Sequence, residues 1–261
     1  MVSLRHTHSD RPSLGVTDGD GNPSLTSSGG NGARVGHDAI TPLSEGKGMK
    51  VVSFVTQKGG SGKSTTAASI AVAALQQGRR VFLLELDRQG TLSDWADARQ
   101  SESGPDFERI EATALEKALA TLKAEGYEFA FVDTPGVDSP ATAAAMRAAD
   151  LCLVPCRPTA TDLRGCLPTV QTLIRLEKPF AFVLSQCPPR SGRVDETRAG
   201  LSALGLIAEP PIVSRADHQD AMAAGLGVTE FNDAGAAAAE IRRLWKWIDA
   251  KLEGKRHVKA A

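Results

Sequence analysis

Between Val51 and Leu75 the chain reads VVSFVTQKGGSGKSTTAASIAVAAL. A run of β-branched and apolar residues stops at Thr56, a glycine-dense turn follows, and a continuous stretch of small and apolar residues starts at Ser64. That order predicts a strand, a tight loop and a helix in direct succession. From Met49 onward the same alternation recurs. Candidate strands are Lys50 to Thr56, Arg80 to Asp87, Glu128 to Asp133, Asp150 to Pro155, Pro179 to Gln186 and Ile207 to Ser214. Helical stretches begin near Ser64, Thr91, Ala114, Ser139, Ala160, Gly192 and Ala216, and a last one covers Ala234 to Leu252. Short apolar runs separated by helices imply an α/β fold with a mostly parallel, twisted sheet and helices on both faces. Pro168, inside the helix that starts at Ala160, is expected to kink or divide it.

The loop itself carries chemistry. Gly59, Gly60 and Gly62 supply a backbone that turns tightly and aims successive N–H groups at phosphate oxygens. With Ser61 between them, Lys63 adds charge, and the Ser64 hydroxyl is placed to meet Mg²⁺, with Thr65 beside it. The helix that begins there points its positive dipole end at a nucleotide. A G-x-G-K-[ST] run between strand and helix marks a P-loop NTPase. The usual pattern has a further glycine five residues before Gly62, and that position holds Gln57.

Two acidic residues follow strand-like runs. Asp87 ends the second and opens the loop Arg88-Gln89-Gly90, which puts it at the carboxyl edge of the sheet beside the phosphates. Asp133 follows FAFV, where it would hold the Mg²⁺ hydration shell, and the backbone of Gly136 would sense a γ-phosphate. The run DTPG also satisfies the D-x-x-G pattern of GTPases. However, the chain's asparagines are Asn22, Asn31 and Asn232, none followed by Lys, so the usual guanine reader is missing.

Composition narrows the alternatives. With 30 basic and 31 acidic residues the net charge is −1, so no global field draws the chain to nucleic acid or membrane, and any such binding needs a local patch. Cys152, Cys156, Cys166 and Cys187 lie among apolar neighbours without C-x-x-C spacing, as reduced core thiols of a cytoplasmic protein would. That placement also argues against an iron–sulfur carrier, which needs paired thiolates at a dimer face. There is no 18-residue apolar run and no signal-peptide pattern at the N-terminus. Residues 1 to 48 contain nine Gly, seven Ser and no aromatic residue. They are expected to form a disordered leader, with Met49 a candidate start. His6, His8 and His37 within it are too sparse to argue for a metal site.

The departure at Gln57, with Lys58 next to it, resembles the deviant phosphate loop KGGxGK[ST] of the ParA/MinD partition ATPases. The resemblance spans about residues 49 to 250. FLLELDRQGTLSDWA (Phe82 to Ala96), YEFAFVDTPG (Tyr127 to Gly136) and ADLCLVPCRPTATDLRG (Ala149 to Gly165) are similar to further stretches of that family. The short form without an N-terminal helix-turn-helix domain, like ParF, fits best, with 49–261 as the ATPase domain. Arg88 replaces the usual proline, Glu85 an aspartate often found there, and Ser185 a frequent asparagine. The resemblance implies ATP and Mg²⁺ as ligands and a homodimer that sandwiches ATP. In it Lys58 reaches the partner subunit's phosphates, Lys63 holds those of its own site, Ser64, Asp87 and Asp133 attend the metal, and Asp87 orients the attacking water. It further implies weak ATP hydrolysis stimulated by a ParB-type or adaptor protein, non-specific DNA binding on the nucleoid, and transport of plasmid, chromosome or protein cargo.

The rival within that family is a membrane-bound regulator like MinD. Ile241, Leu244, Trp245, Ile248 and Leu252 make one apolar stripe at helical spacing, which could lie on a bilayer or pack on the core. Because it follows the last strand closely, the core reading is preferred. From Glu240 to Ala261 seven basic residues face three acidic ones, a local patch of +4. Duplicated in a dimer, such a patch can bind phosphate backbones in a salt-dependent way.

Overall fold

The computed structural model describes residues 48–100 and 103–254, so residues 1–47 of the leader and the basic residues Lys255, Arg256 and Lys259 lie outside it. Strands and helices alternate through the chain. They run β1 (Lys50–Phe54), α1 (Lys63–Gln76), β2 (Val81–Glu85), α2 (Thr91–Ala98), β3 (Asp106–Arg109) and α3 (Leu115–Ala124). Next come β4 (Phe129–Asp133), α4 (Pro140–Ala148), β5 (Leu151–Cys156), α5 (Ala160–Arg175), β6 (Phe180–Leu184) and α6 (Gly192–Ser202). Last among the described residues come β7 (Leu206–Ile207), α7 (Ala216–Ala223), α8 (Val228–Phe231) and α9 (Ala236–Leu252).

Among the described residues seven strands pair in parallel, in the order β3-β2-β4-β1-β5-β6-β7. The path runs outward from β1 to β3 and returns, so that β4 inserts between β2 and β1. The loops that leave β1, β2 and β4 therefore emerge side by side at the carboxyl edge, where ligands of open α/β sheets bind. The central strands read as continuous apolar runs because helices cover both faces. On one face α1, α2, α7 and α9 pack against Phe54, Leu83, Phe131 and Val183. On the other, α5 and α6 cover β5 and β6, and α3 and α4 cover β2 and β4.

The C-terminal stripe is core. Ile241, Leu244, Trp245 and Ile248 are buried, and Leu252 packs against the same cluster. Trp245 meets the rings of Phe129 and Phe131 edge-on at 5.0 and 6.0 Å. Its indole N–H donates to Gln77 Oε1 at 3.1 Å, so the buried polar atom is satisfied. No helix among the described residues is long and apolar enough to cross a membrane. The four cysteines are free and buried, and burial pushes the Cys152 and Cys187 thiols up to about 12 and about 11, which keeps them protonated.

Two readings are corrected and one strand is added. Pro168 does not divide α5, which runs unbroken from Ala160 to Arg175. The strand expected from Ile207 to Ser214 shrinks to Leu206–Ile207 plus an isolated bridge at Val213, because Pro210 and Pro211 interrupt it and a proline nitrogen cannot extend a ladder. β3 was not foreseen: its four residues, DFER, are largely polar and form an edge strand with no apolar run to announce it.

Candidate functional site

The loop after β1 turns on glycine. Gly60 and Gly62 have φ of 71° and 88°, a left-handed conformation that disfavours any β-carbon. Gly62 caps α1, whose first residue is Lys63. The Lys63 side chain is buried, with the residue 7% exposed. Burial lowers its pKa, while the charges of Asp133 and Asp87 act against that shift.

Asp133 closes β4 directly below the loop. Ser64 Oγ donates to Asp133 Oδ2 at 2.6 Å, and Oδ1 is buried with no partner among the described residues. Burial pushes the carboxyl up to about 7; the Ser64 bond and the Lys63 charge oppose the rise, and Glu85 and Asp87 add to it. A buried carboxylate oxygen with no donor, beside a serine hydroxyl, is a fit for a hard divalent cation or its bound water. Next along the chain, Thr134 Oγ1 donates to Phe54 O at 2.7 Å and ties the ends of β4 and β1 together. Gly136 lies so close to the phosphate loop that a β-carbon there would sit 3.0 Å from Gly59 N and Cα. A side chain there would push the two loops apart by a few tenths of an ångström.

The end of β2 holds two carboxylates with different work. Glu85 is fully buried and accepts from Leu92 N at 2.8 Å, Ser93 N at 3.1 Å and Ser93 Oγ at 2.6 Å. It supplies from the strand the cap that Gly90, lacking a side chain, cannot give α2. Asp87 lies half-buried on the cleft wall, with Oδ1 accepting from Gln89 N at 3.0 Å. Arg88 is exposed and pairs with Glu111 at 3.2 Å.

Lys58 does not line the cleft. Its Nζ is 3.5 Å from Asp162 Oδ2 on α5, and its Cδ would be 3.3 Å from a β-carbon at Gly165. Burial alone would raise the Asp162 carboxyl. Hydrogen bonds from Thr159 and Arg157, with the charges of Arg157 and Lys58, instead hold it below the ordinary value.

Gly59, Gly60, Ser61, Gly62, Lys63, Ser64, Thr65, Asp87 and Gly136 thus line one cleft of about 600 Å³, with Asp133 beneath it. A second cavity of about 150 Å³ adjoins it past Gly62 and Thr65, walled by Ser185, Gln186, Ser214, His218 and Gln219. Glu85 and Ser185 drew attention in the sequence as departures, whereas Asp162 and Gln186 carried no separate signal. Asp162 sits inside the quoted run TATDLRG, where its register on α5 decides that it faces Lys58.

A parallel sheet with a two-lysine glycine loop at its carboxyl edge defines a P-loop protein of the ParA/MinD superfamily of partition and positioning ATPases. Within it the chain belongs to the VirC1 protein family, whose family model matches residues 49–231. It is 33% identical over 206 residues to maintenance of carboxysome distribution protein A of Gloeobacter kilaueensis, covering 77% of this chain and 94% of that one. Protein virC1 of Rhizobium rhizogenes is 29% identical over 188 residues, 67% of this chain and 80% of the relative. Among solved structures, the septum site-determining protein MinD of Pyrococcus horikoshii, complexed with Mg-ADP, superposes with a TM-score of 0.63 at 17% identity. That match covers 80% of this chain and 100% of MinD.

Proposed function

We propose that the chain binds ATP with Mg²⁺, dimerises around it, binds DNA without sequence preference as the dimer, and lets go when a partner protein stimulates hydrolysis. The observation that carries this reading is the pair of lysines on one glycine loop. Lys63 is buried under the cleft, whereas Lys58 is outside it, tethered to Asp162. Once released from Asp162, a lysine in that outer place serves a second subunit's phosphates, which makes charge neutralisation of a buried triphosphate conditional on dimerisation.

Each residue has a defined task in this scheme. The backbone from Gly59 to Thr65 and the Lys63 ammonium hold the phosphates. Ser64 and Asp133 hold the cation, which when bound would offset charge on the phosphate oxygens. Asp87 orients the attacking water, and Gly136 lets the loop after β4 lie against the phosphate loop and respond to its occupancy. Phosphoryl transfer depends mainly on such positioning.

The DNA step is supported by α9, where Arg243, Lys246 and Lys251 are exposed while the apolar stripe faces inward. Arg242, in contrast, is paired with Asp233. Cargo is a plasmid or chromosome complex, or a protein assembly. The test is binding of residues 49–261 to an arbitrary duplex with ATP, ADP or no nucleotide at two salt concentrations. Binding only with ATP, weakened by salt, supports the scheme. ATP-dependent dimers that bind no DNA in any state would overturn its DNA step.

A further inference from the structure

The segment that leaves β6 grips the phosphate loop at the edge of the cleft, which Gln186 itself lines. Ser185 Oγ donates to Ser61 O at 2.8 Å, and Gln186 Nε2 donates to Gly60 O at 2.8 Å. Two consecutive residues therefore hold two consecutive carbonyls of the loop. In a trans peptide the C=O and the following N–H point in opposite directions. Holding the Gly60 and Ser61 carbonyls on Gln186 and Ser185 turns the Ser61 and Gly62 N–H groups away from those side chains, and Ser61 and Gly62 both line the cleft. Neither N–H donates to a protein acceptor among the described residues.

The gripping segment is itself fixed. Ser185 N donates to Cys156 O at 3.0 Å, and Cys187 N donates to Ile212 O at 2.9 Å. Between them Gln186 is held at φ 49°, a left-handed conformation that non-glycine residues seldom adopt. The Gly62 turn passes within van der Waals reach of both side chains, since a β-carbon there would lie 3.6 Å from Gln186 Nε2 and 4.0 Å from Ser185 Cβ.

We propose that Ser185 and Gln186 are positioning residues for the phosphate loop, aiming the Ser61 and Gly62 amides at the nucleotide's phosphates, and are not readers of its base. Ser185 commits its one hydroxyl proton to Ser61, and Gln186 commits an amide proton to Gly60. Ser214, His218 and Gln219 also line the adjoining cavity, where a base would sit. The inference rests on the glycine loop being the phosphate site.

The experiment titrates the full chain and its Gln186→Met and Ser185→Ala variants with Mg²⁺ and each of ATP, GTP and tripolyphosphate, which has no base. Gln186 is exposed, so Gln186→Met removes the donor without adding charge or opening the core, and it carries the test even if Ser185→Ala folds poorly. Affinity for all three compounds is expected to fall together by about 3- to 10-fold in each variant, the worth of one hydrogen bond. The ratio of ATP to GTP affinity should not move. In ¹⁵N spectra, the downfield shift of the Ser61 amide on adding tripolyphosphate should shrink in Gln186→Met, and that of Gly62 in Ser185→Ala. A loss confined to ATP and GTP, or a changed ratio between them, would make these residues base readers and overturn the inference. Unchanged binding of all three compounds would overturn it as well. If the parent chain binds none of the three, the phosphate-site reading falls and takes this inference with it.

Discussion

Lys58 on the phosphate loop and Asp162 on α5 stand 3.5 Å apart, Nζ to Oδ2, with the carboxylate buried and the lysine side chain 25% exposed. The ammonium that a second subunit would use is therefore occupied within its own chain. In the proposed dimer, release would precede or accompany association. A partly exposed pair of this kind stabilises by about 0.5–1 kcal/mol, enough to bias an equilibrium and too little to lock it.

Asp162→Asn keeps the side chain's size while removing the charge that holds Lys58. ATP-dependent dimerisation is expected to tighten by about 2- to 5-fold, and Lys58→Ala should abolish it while leaving ATP binding to the monomer. Sedimentation with ATP and with ADP separates the two variants. Dimers of Lys58→Ala as tight as the parent's would remove the lysine from the interface.

Lys63→Ala and Asp87→Ala should fail differently. Loss of the buried ammonium removes nucleotide binding, because no other cation lines that part of the cleft among the described residues. Loss of Asp87 leaves ATP bound and the dimer persistent, with hydrolysis reduced by roughly 100-fold or more if the carboxylate orients the water. Single-turnover hydrolysis alongside equilibrium binding checks both. Parental hydrolysis by Asp87→Ala would dismiss its assigned role.

Asp133 predicts a pH dependence. Its carboxyl is raised to about 7 from an ordinary 3.8, so the folded chain holds the proton more tightly than the unfolded chain does. The stability this contributes is full below about pH 4 and is lost as the pH rises through about 7. The metal-free protein should therefore lose more Tm between about pH 5 and pH 8 than its Asp133→Asn variant. Magnesium bound at the carboxylate should raise Tm more at about pH 8 than at about pH 6. Thermal melts with and without Mg²⁺ test this, and an equal response at both values would remove Asp133 from the cation site.

Trp245 is placed to distinguish a core helix from a surface one. Fully buried against Phe129 and Phe131, it should cost about 3–5 kcal/mol when replaced by alanine. Denaturant unfolding measures the loss. A change below about 1 kcal/mol would mean that α9 leaves the core in solution, where its stripe would be free for another surface.

The sequence by itself determined the strand, loop and helix around Gly59 to Ser64, the parallel α/β class and the grouping of Lys63, Asp87, Asp133 and Gly136 at one sheet edge. Local spacing suffices for these, because apolar periodicity, glycine torsions and strand ends act over a few residues. The short polar β3 escaped notice for the same reason, having no periodicity to report. Tertiary structure alone decided which side chains meet across long separations. Ser64 finds Asp133 across 69 positions, and Ser185 finds Ser61 across 124. It also decided that Glu85, one methylene longer than the aspartate expected there, reaches the amides of Leu92 and Ser93 and caps α2. Such partners are chosen by the order in which strands insert into the sheet and by the register of the helices laid over it. Those are properties of the whole packed chain, set by burial of its shared core.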